Sequence, residues 1–342
     1  MFKARLITPV LFLTISTSFL FSQDCAVKLR DAENLFNAGL VEQVPELLAA
    51  CLESGFTKAE EHSAYQIIIR SYLYEDKTDK AEETMLEFLK KNPEYKISPT
   101  DNADFVYLFN KYNVKPVVQL SANIGSNYTF ISVIEENSTS GMPLSKDYGN
   151  ETFSVAAGLE AKISFGKHFE FGAGIDYTQV TFSYKEPFLD FSEAYYPETQ
   201  IRLEIPLRAY YYPLSFSGFS PYASIGAAAS FNVSTVASVS ANNTDANNII
   251  PHTGPDEDRT DSRHFLEPLV IGGIGCKYKL PRSYIFIDIS ARLGTLNQYK
   301  EGLPSNSEWF YYSTDDQFRI NNIRLSLGYT YIFYKPGRKE EQ

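Results

Sequence analysis

Two hydrophobic periods divide the chain. From Asp24 to about Lys96, apolar residues recur every three or four positions, the spacing that lines one face of an α-helix. Ala26, Leu29, Ala32, Leu35 and Phe36 mark a first helix that stops at Ala38-Gly39. Val41, Val44, Leu47, Leu48 and Cys51 mark a second, ending at Ser54-Gly55. Thr57 stands where an N-cap is needed before a third, which carries Ala64, Ile67, Ile68, Tyr72 and Leu73. A fourth follows the turn at Asp76–Thr78, with Ala81, Met85, Phe88 and Leu89 inward, until Asn92-Pro93 ends it. A short linker helix is expected at Ala103–Tyr112.

After Pro116 the period becomes two, which predicts strands. Eight are expected: Val117–Phe130, Thr152–Phe165, Phe169–Tyr184, Ile201–Tyr212, Pro221–Val233, Phe265–Tyr278, Tyr284–Thr295 and Asn322–Phe333. Phe265–Tyr278 alternates least regularly. Between Thr152 and Phe165 the alternation far outruns the mean soluble strand of about 5–6 residues and covers the roughly 9–11 of a tilted membrane span. Short connections (Gly166-Lys167, Leu214–Ser220, Pro281-Arg282) alternate with long ones (Ser132–Glu151, Lys185–Gln200, Ser234–His264, Leu296–Gln317). That layout is a transmembrane barrel with short periplasmic turns and long external loops, and an even strand number puts both chain ends in the periplasm. Aliphatic residues take one face of each strand and small or charged residues the other, the reverse of a soluble lipocalin-like barrel.

On this register the lumen holds Glu160, Glu170, Asp176, Glu204 and Asp288 with Lys162, Arg202, Arg208, Arg292 and Arg324. An eight-stranded barrel is only wide enough for its own side chains, and buried charges are costly unless paired. A self-satisfied charge network is therefore expected, not a pore.

Composition narrows the class. The chain is 44% hydrophobic with 15% aromatics, too apolar for a disordered protein. Its mean hydropathy of −0.24 is too polar for a helical membrane protein. Tyr (24) and Phe (25) abound, as in outer-membrane barrels, and a net charge of −11 argues against a nucleic-acid partner. Lys3 and Arg5 precede an apolar run from Leu6 to Phe21, and polar residues begin at Ser22-Gln23-Asp24, so 1–23 reads as a secretory signal peptide. Asp24 before Cys25 argues against lipidation. Export permits disulfides, and a Cys25–Cys51 bond is expected, contributing about 3 kcal/mol by the chain-entropy argument, with Cys276 free. His62, His168, His252 and His264 are scattered, so neither metal nor cofactor is expected. His252 and His264 flank Thr253–Arg263, where Asp256, Glu257, Asp258, Asp261 and Ser262 lie. No spacing there is diagnostic of catalysis, and the expectation is not an enzyme.

The helical segment contains a weak repeat: Leu35-Phe36…Gly39…Val44…Leu47-Leu48 against Tyr72-Leu73…Asp76…Ala81…Thr84-Met85. This resembles two tetratricopeptide-type (TPR-like) helix pairs, whose usual period is about 34, and implies a protein-docking surface. In the barrel segment, Leu203-Glu204-Ile205-Pro206-Leu207 is followed by Tyr210-Tyr211-Tyr212 and Ser220-Pro221-Tyr222-Ala223-Ser224-Ile225-Gly226. Ala291-Arg292-Leu293-Gly294 and Leu325-Ser326-Leu327-Gly328-Tyr329 come later. Over about 116–335 these segments resemble the PorT-type outer-membrane β-barrel family of Bacteroidetes. The resemblance implies an eight-stranded outer-membrane barrel; one member is implicated in type IX secretion.

The reading is an α+β multidomain protein: an all-α helical-hairpin (TPR-like) domain followed by an eight-stranded antiparallel transmembrane β-barrel. Its parts are the signal peptide 1–23, a periplasmic helical domain 24–98, a linker helix 99–115, the barrel 116–335 and a periplasmic tail 336–342. Segment 24–112 is expected to fold by itself. The expected partners are outer-membrane lipid and periplasmic or outer-membrane proteins of an envelope secretion or assembly complex. The alternatives are a surface adhesion or ligand-binding barrel acting through its long loops, and a rim enzyme.

Overall fold

The structure, a computed structural model, describes residues 18–137, 146–149, 153–188, 192–214, 218–245, 248–300 and 316–339. Most of the expected signal segment, parts of all four long connections, residues 215–217 of one short connection and the end of the tail lie outside these residues. The chain forms two compact units, one of Met1–Lys115 with Tyr334–Gln342, the other of Pro116–Phe333.

The first unit contains α1 (Ser18–Asn37), α2 (Val44–Glu53), α3 (Lys58–Tyr74), α4 (Thr78–Lys91) and α5 (Ala103–Asn110). Thr57 caps α3 with a full capping box: its hydroxyl oxygen accepts from the Glu60 amide, and the Glu60 carboxylate accepts from the Thr57 amide. Gly39 and Gly55 end α1 and α2 in left-handed backbone (φ 81° and 135°), which a side chain would strain. Two cores result. Leu29, Ala32, Val44, Leu48, Ala64, Ile67 and Ile68 join α1, α2 and α3. Tyr65, Ile69, Ala81, Met85, Phe88, Leu89, Phe105 and Leu108 join α3, α4 and α5. Cys25 and Cys51 are both buried and disulfide-bonded, tying α1 to α2.

This unit also takes in residues beyond its helices. Tyr112 belongs to the second core, and Val114 packs against it. Tyr334 donates its hydroxyl to Glu94 (2.5 Å), Arg338 pairs with Glu82 (3.5 Å), and the Lys339 amide donates to the Lys111 carbonyl (2.8 Å).

The strands are β1 (Tyr112–Glu135), β2 (Asp147–Gly149), β3 (Ser154–Phe165), β4 (Phe169–Phe188), β5 (Ser192–Tyr211) and β6 (Phe219–Ala237). They continue with β7 (Ser240–Asp245), β8 (Asn248–Thr253), β9 (Glu257–Asp258), β10 (Leu266–Leu280), β11 (Ser283–Gly294) and β12 (Gln317–Arg338). The long strands pair in the order β4-β3-β1-β12-β11-β10-β6-β5, and β5 pairs back onto β4, making a large antiparallel barrel-like sheet. β2, β7, β8 and β9 extend it at the long-loop end.

The strands outrun the apolar alternation. β5 starts at Ser192 rather than Ile201, β4 runs to Phe188, and a β7–β8 hairpin with β9 occupies the expected loop Ser234–His264. The added rungs mix polar residues such as Glu198, Thr199, Gln200, Asn242 and Asn243 with apolar ones such as Tyr195, Tyr196, Ile249 and Ile250 in no regular alternation, so pairing continues where the strict apolar period has ceased. A register shift between Ile201 and Arg202 in the β5–β6 pair marks the boundary.

Outward residues include Leu159, Ile205, Ile225, Ile274, Ile287 and Leu327, while their neighbours Glu160, Glu204, Ser224, Asp288 and Ser326 are buried. Apolar clusters interrupt the expected polar lumen. On β10, Leu269 and Ile271 face inward with Ala228 of β6. Toward the loops, Val180, Phe182, Phe318 and Ile320 pack together.

Candidate functional site: the barrel lumen and its rims

All ten charged residues expected in the lumen are buried there. Strand alternation turns them inward, and the barrel's closure decides which of them meet. At mid-height Asp176 accepts from Arg292 Nη2 (2.6 Å) and Arg324 Nη1 (2.8 Å). The same two guanidiniums pair with Glu204, Arg324 at 3.6 Å. Arg324 also donates to Asn127 Oδ1 (2.8 Å) and Thr178 Oγ1 (2.5 Å).

Nearer the short turns, Glu160 pairs with Arg208 (3.2 Å) and Lys162 (3.3 Å) and accepts from the Tyr210 hydroxyl (2.7 Å). Arg208 reaches on to Asp288 (3.4 Å), which also accepts from the Tyr222 hydroxyl (3.1 Å). Below these, Glu170 accepts from Tyr212 (2.6 Å), Gln119 (3.0 Å) and Lys277 (3.1 Å). Glycines make the room: a Cβ at Gly158 would clash with Asp176 Oδ1, and one at Gly172 with Glu160 Oε1.

The expected ten are not the whole network. Arg202 pairs with Glu267, and Arg263 holds Glu198 by two bonds (3.0 and 2.5 Å). Asp316 accepts from Lys146 Nζ (3.0 Å), the Tyr148 hydroxyl (2.8 Å) and the Asn137 amide (2.8 Å). Glu267 and Lys277 stand in phase at opposite ends of one face of β10, the signal that could have found them, but the apolar Leu269 and Ile271 between them hide that face. Glu198, Arg263, Lys146 and Asp316 lie on polar extensions and loop roots, where no alternation marks them.

Among the described residues, paired charges and apolar clusters together fill the interior from Glu170 to Asp316, as the width of an eight-stranded barrel leads one to expect. Breaking such a pair is expensive because it strands a charge away from water.

Outside, aromatic residues band the barrel at two levels. At the short-turn end Phe165, Phe169, Tyr211, Phe219, Tyr278 and Phe333 are exposed; toward the loops Tyr128, Phe153, Tyr177 and Phe265 are. Neighbours in each band touch: Phe169–Tyr211 ring centroids lie 5.2 Å apart, Phe219–Tyr278 4.8 Å and Phe231–Phe265 5.6 Å. Aliphatic residues fill the surface between, as at the two interfaces of a bilayer.

A family model described as "Outer membrane protein beta-barrel domain" matches residues 108–295. The chain belongs to this outer-membrane β-barrel family. It is similar to the crystal structure of Neisserial surface protein A (NspA), at 14% identity and TM-score 0.31, over 63% of this chain and 97% of that one. It is also similar to OprG from Pseudomonas aeruginosa (11% identity, TM-score 0.31, 64% and 97% covered). A third is Ail, the attachment invasion locus protein of Yersinia pestis (12%, 0.27, 63% and 99%). The assignment rests on the family match and not on these likenesses. Among curated proteins, none matches the chain. As an outer-membrane β-barrel it resides in the outer membrane.

Of the loop candidates, the His252 side chain lies outside the described residues. In the loop segment, Asp258 is fully exposed and accepts from the Thr260 amide (2.9 Å) and hydroxyl (2.6 Å), bonds that hold its carboxyl below the usual range. No three His, Cys, Asp or Glu side chains among the described residues are placed to share a metal. In the helical unit, His62 Nε2 meets Asn92 Oδ1 (3.0 Å). Tyr95 donates to Asp101 (2.9 Å), and burial with that carboxylate pushes its phenol up to about 12.

Proposed function

We propose that this outer-membrane β-barrel is a non-enzymatic anchor whose eight long strands cross the bilayer. The helices after an N-terminal signal peptide are its periplasmic, TPR-like docking module. The observation carrying the reading is the filled, ion-paired lumen: a barrel with no bore supplies location, and interaction falls to the parts outside the membrane. The helices form a unit with its own cores and a disulfide. Their pairing as α1–α2 and α3–α4 suits a helical array that presents a surface to another protein. The partners proposed are periplasmic or outer-membrane proteins of an envelope secretion or assembly complex, in line with the PorT-type resemblance.

The test is crosslinking capture in cells of the source type, comparing the full chain with one lacking 24–98. Envelope proteins recovered with the full chain should vanish from the shortened one while the barrel still inserts. Equal recovery from both sinks the docking module. A second reading, surface binding through the long loops, is supported by the anchoring of their roots, where Asp316 and the Glu198–Arg263 pair fix the chain. Loss of capture on removing Asp245–Asp261, with the helices intact, would favour it.

A further inference from the structure

At the short-turn end, the lumen opens into a cleft of about 390 Å³ that the charge network does not use up. Ser164, Lys167, His168, Glu170, Tyr212 and Lys277 line it. Its size is that of a small-molecule pocket.

The donors here are specific. Lys277 Nζ gives one bond to Glu170 (3.1 Å) and lies 3.6 Å from the centre of the Tyr212 ring, which leaves ammonium hydrogens for a ligand. Ser164 Oγ accepts from Gln119 (2.9 Å), so its own hydroxyl hydrogen remains to donate. His168 Nδ1 lies 2.9 Å from the Tyr212 carbonyl. A carbonyl only accepts, so Nδ1 carries the proton and donates to it, while Nε2 of the neutral ring keeps a lone pair and meets a phosphate only by accepting from a P–O–H hydrogen. Lys167 is exposed and makes no ion pair among the described residues.

The charges do not cancel. Glu170 is the carboxylate of the cleft and is already met by Lys277, Tyr212 and Gln119. Lys162, deeper in, is met by Glu160 (3.3 Å). The charge of Lys167 is left over. The donors approach from the end of β3, the β3–β4 turn and β10, so they converge from several directions. A planar carboxylate is best matched by the flat fork of arginine, whereas ammonium and hydroxyl donors arranged in depth suit a tetrahedral oxyanion. We propose that this cleft binds a phosphate-bearing ligand through the donors Lys277, Lys167 and Ser164, with His168 Nε2 accepting from a P–O–H hydrogen. The inference concerns the barrel alone and stands apart from the docking reading.

The probe is inorganic phosphate, titrated calorimetrically into the full chain in nanodiscs of zwitterionic phosphatidylcholine. Saturable binding is expected, weakened at least tenfold by Lys277→Gln, the loss of one charge-assisted contact. Lys277→Gln also strips Glu170 of its partner and can unfold the barrel, so the double variant Lys167→Ala/His168→Ala, confined to an exposed turn, gives an independent reading. It should weaken binding several-fold while heat-modifiable gel migration stays that of the folded barrel. Replacing part of the phosphatidylcholine with phosphatidylglycerol separates the sources. A fall in apparent phosphate affinity identifies a lipid headgroup as the ligand, and an unchanged affinity identifies soluble phosphate. No saturable binding to the folded chain, or binding unchanged in the turn double variant, overturns the proposal.

Discussion

Asp176 accepts from two guanidiniums, so its loss reaches further than one ion pair. Asp176→Asn leaves Arg292 and Arg324 together with only Glu204 to offset them, and should cost about 3–5 kcal/mol in urea unfolding from detergent. On the outward face the penalty has another origin: Leu159→Arg puts a charge into lipid and should cost about 2–4 kcal/mol near the midplane. Ser326→Ala, inside but uncharged, should stay within about 1 kcal/mol. Similar effects for all three would refute the facing of the strands. In the helical unit, the raised phenol of Tyr95 gives a pH dependence. The unfolded tyrosine loses its proton near pH 10, the folded one near 12, so the stability tied to this group is present below about pH 10 and is lost as pH rises to about 12. Tyr95→Phe should remove that part of the alkaline loss, read from unfolding midpoints between pH 9 and 12.

Among the elements, the helical unit departs most from what its own sequence suggests. Segment 24–112 has the four main helices and the disulfide, yet it lacks Val114, which packs on the second core, and Tyr334 and Arg338, which bond to Glu94 and Glu82. A secreted 24–112 fragment should therefore melt lower than the same unit in the full chain. Within the full chain, Tyr334→Phe should raise amide exchange around Glu94 while leaving the barrel strands protected. Cys51→Ser should destabilise α1 and α2 by about 2–4 kcal/mol and abolish the mobility shift on non-reducing gels. Helix ends were readable because Thr57, Gly39 and Gly55 act through local backbone geometry. The inward face of β10 was not, because Leu269 and Ile271 look like lipid-facing residues until the partner strands are placed.

At the scale of the whole molecule, a lumen filled from Glu170 to Asp316 should give no steady conductance in planar bilayers. Stepwise channels from the intact chain would contradict it. Cys276 lies in the outward aliphatic region beside Ile274 and Ile287 and is half-buried. A water-soluble maleimide should leave it unmodified in membranes and react once the barrel is denatured. Side-chain direction is a property of each residue's own backbone, so the switch from period 3.6 to period 2 was enough to separate helices from strands and to assign the ten lumen charges to the inside. Pairing is not local. Which carboxylate meets which guanidinium depends on how β4 and β5 close the ring, and the rungs beyond the bilayer carry no regular alternation to announce them. The building of the last residues of β12 into the helical unit is likewise a contact between the two ends of the chain. Only the tertiary structure decided these, because they join residues that no sequence period connects.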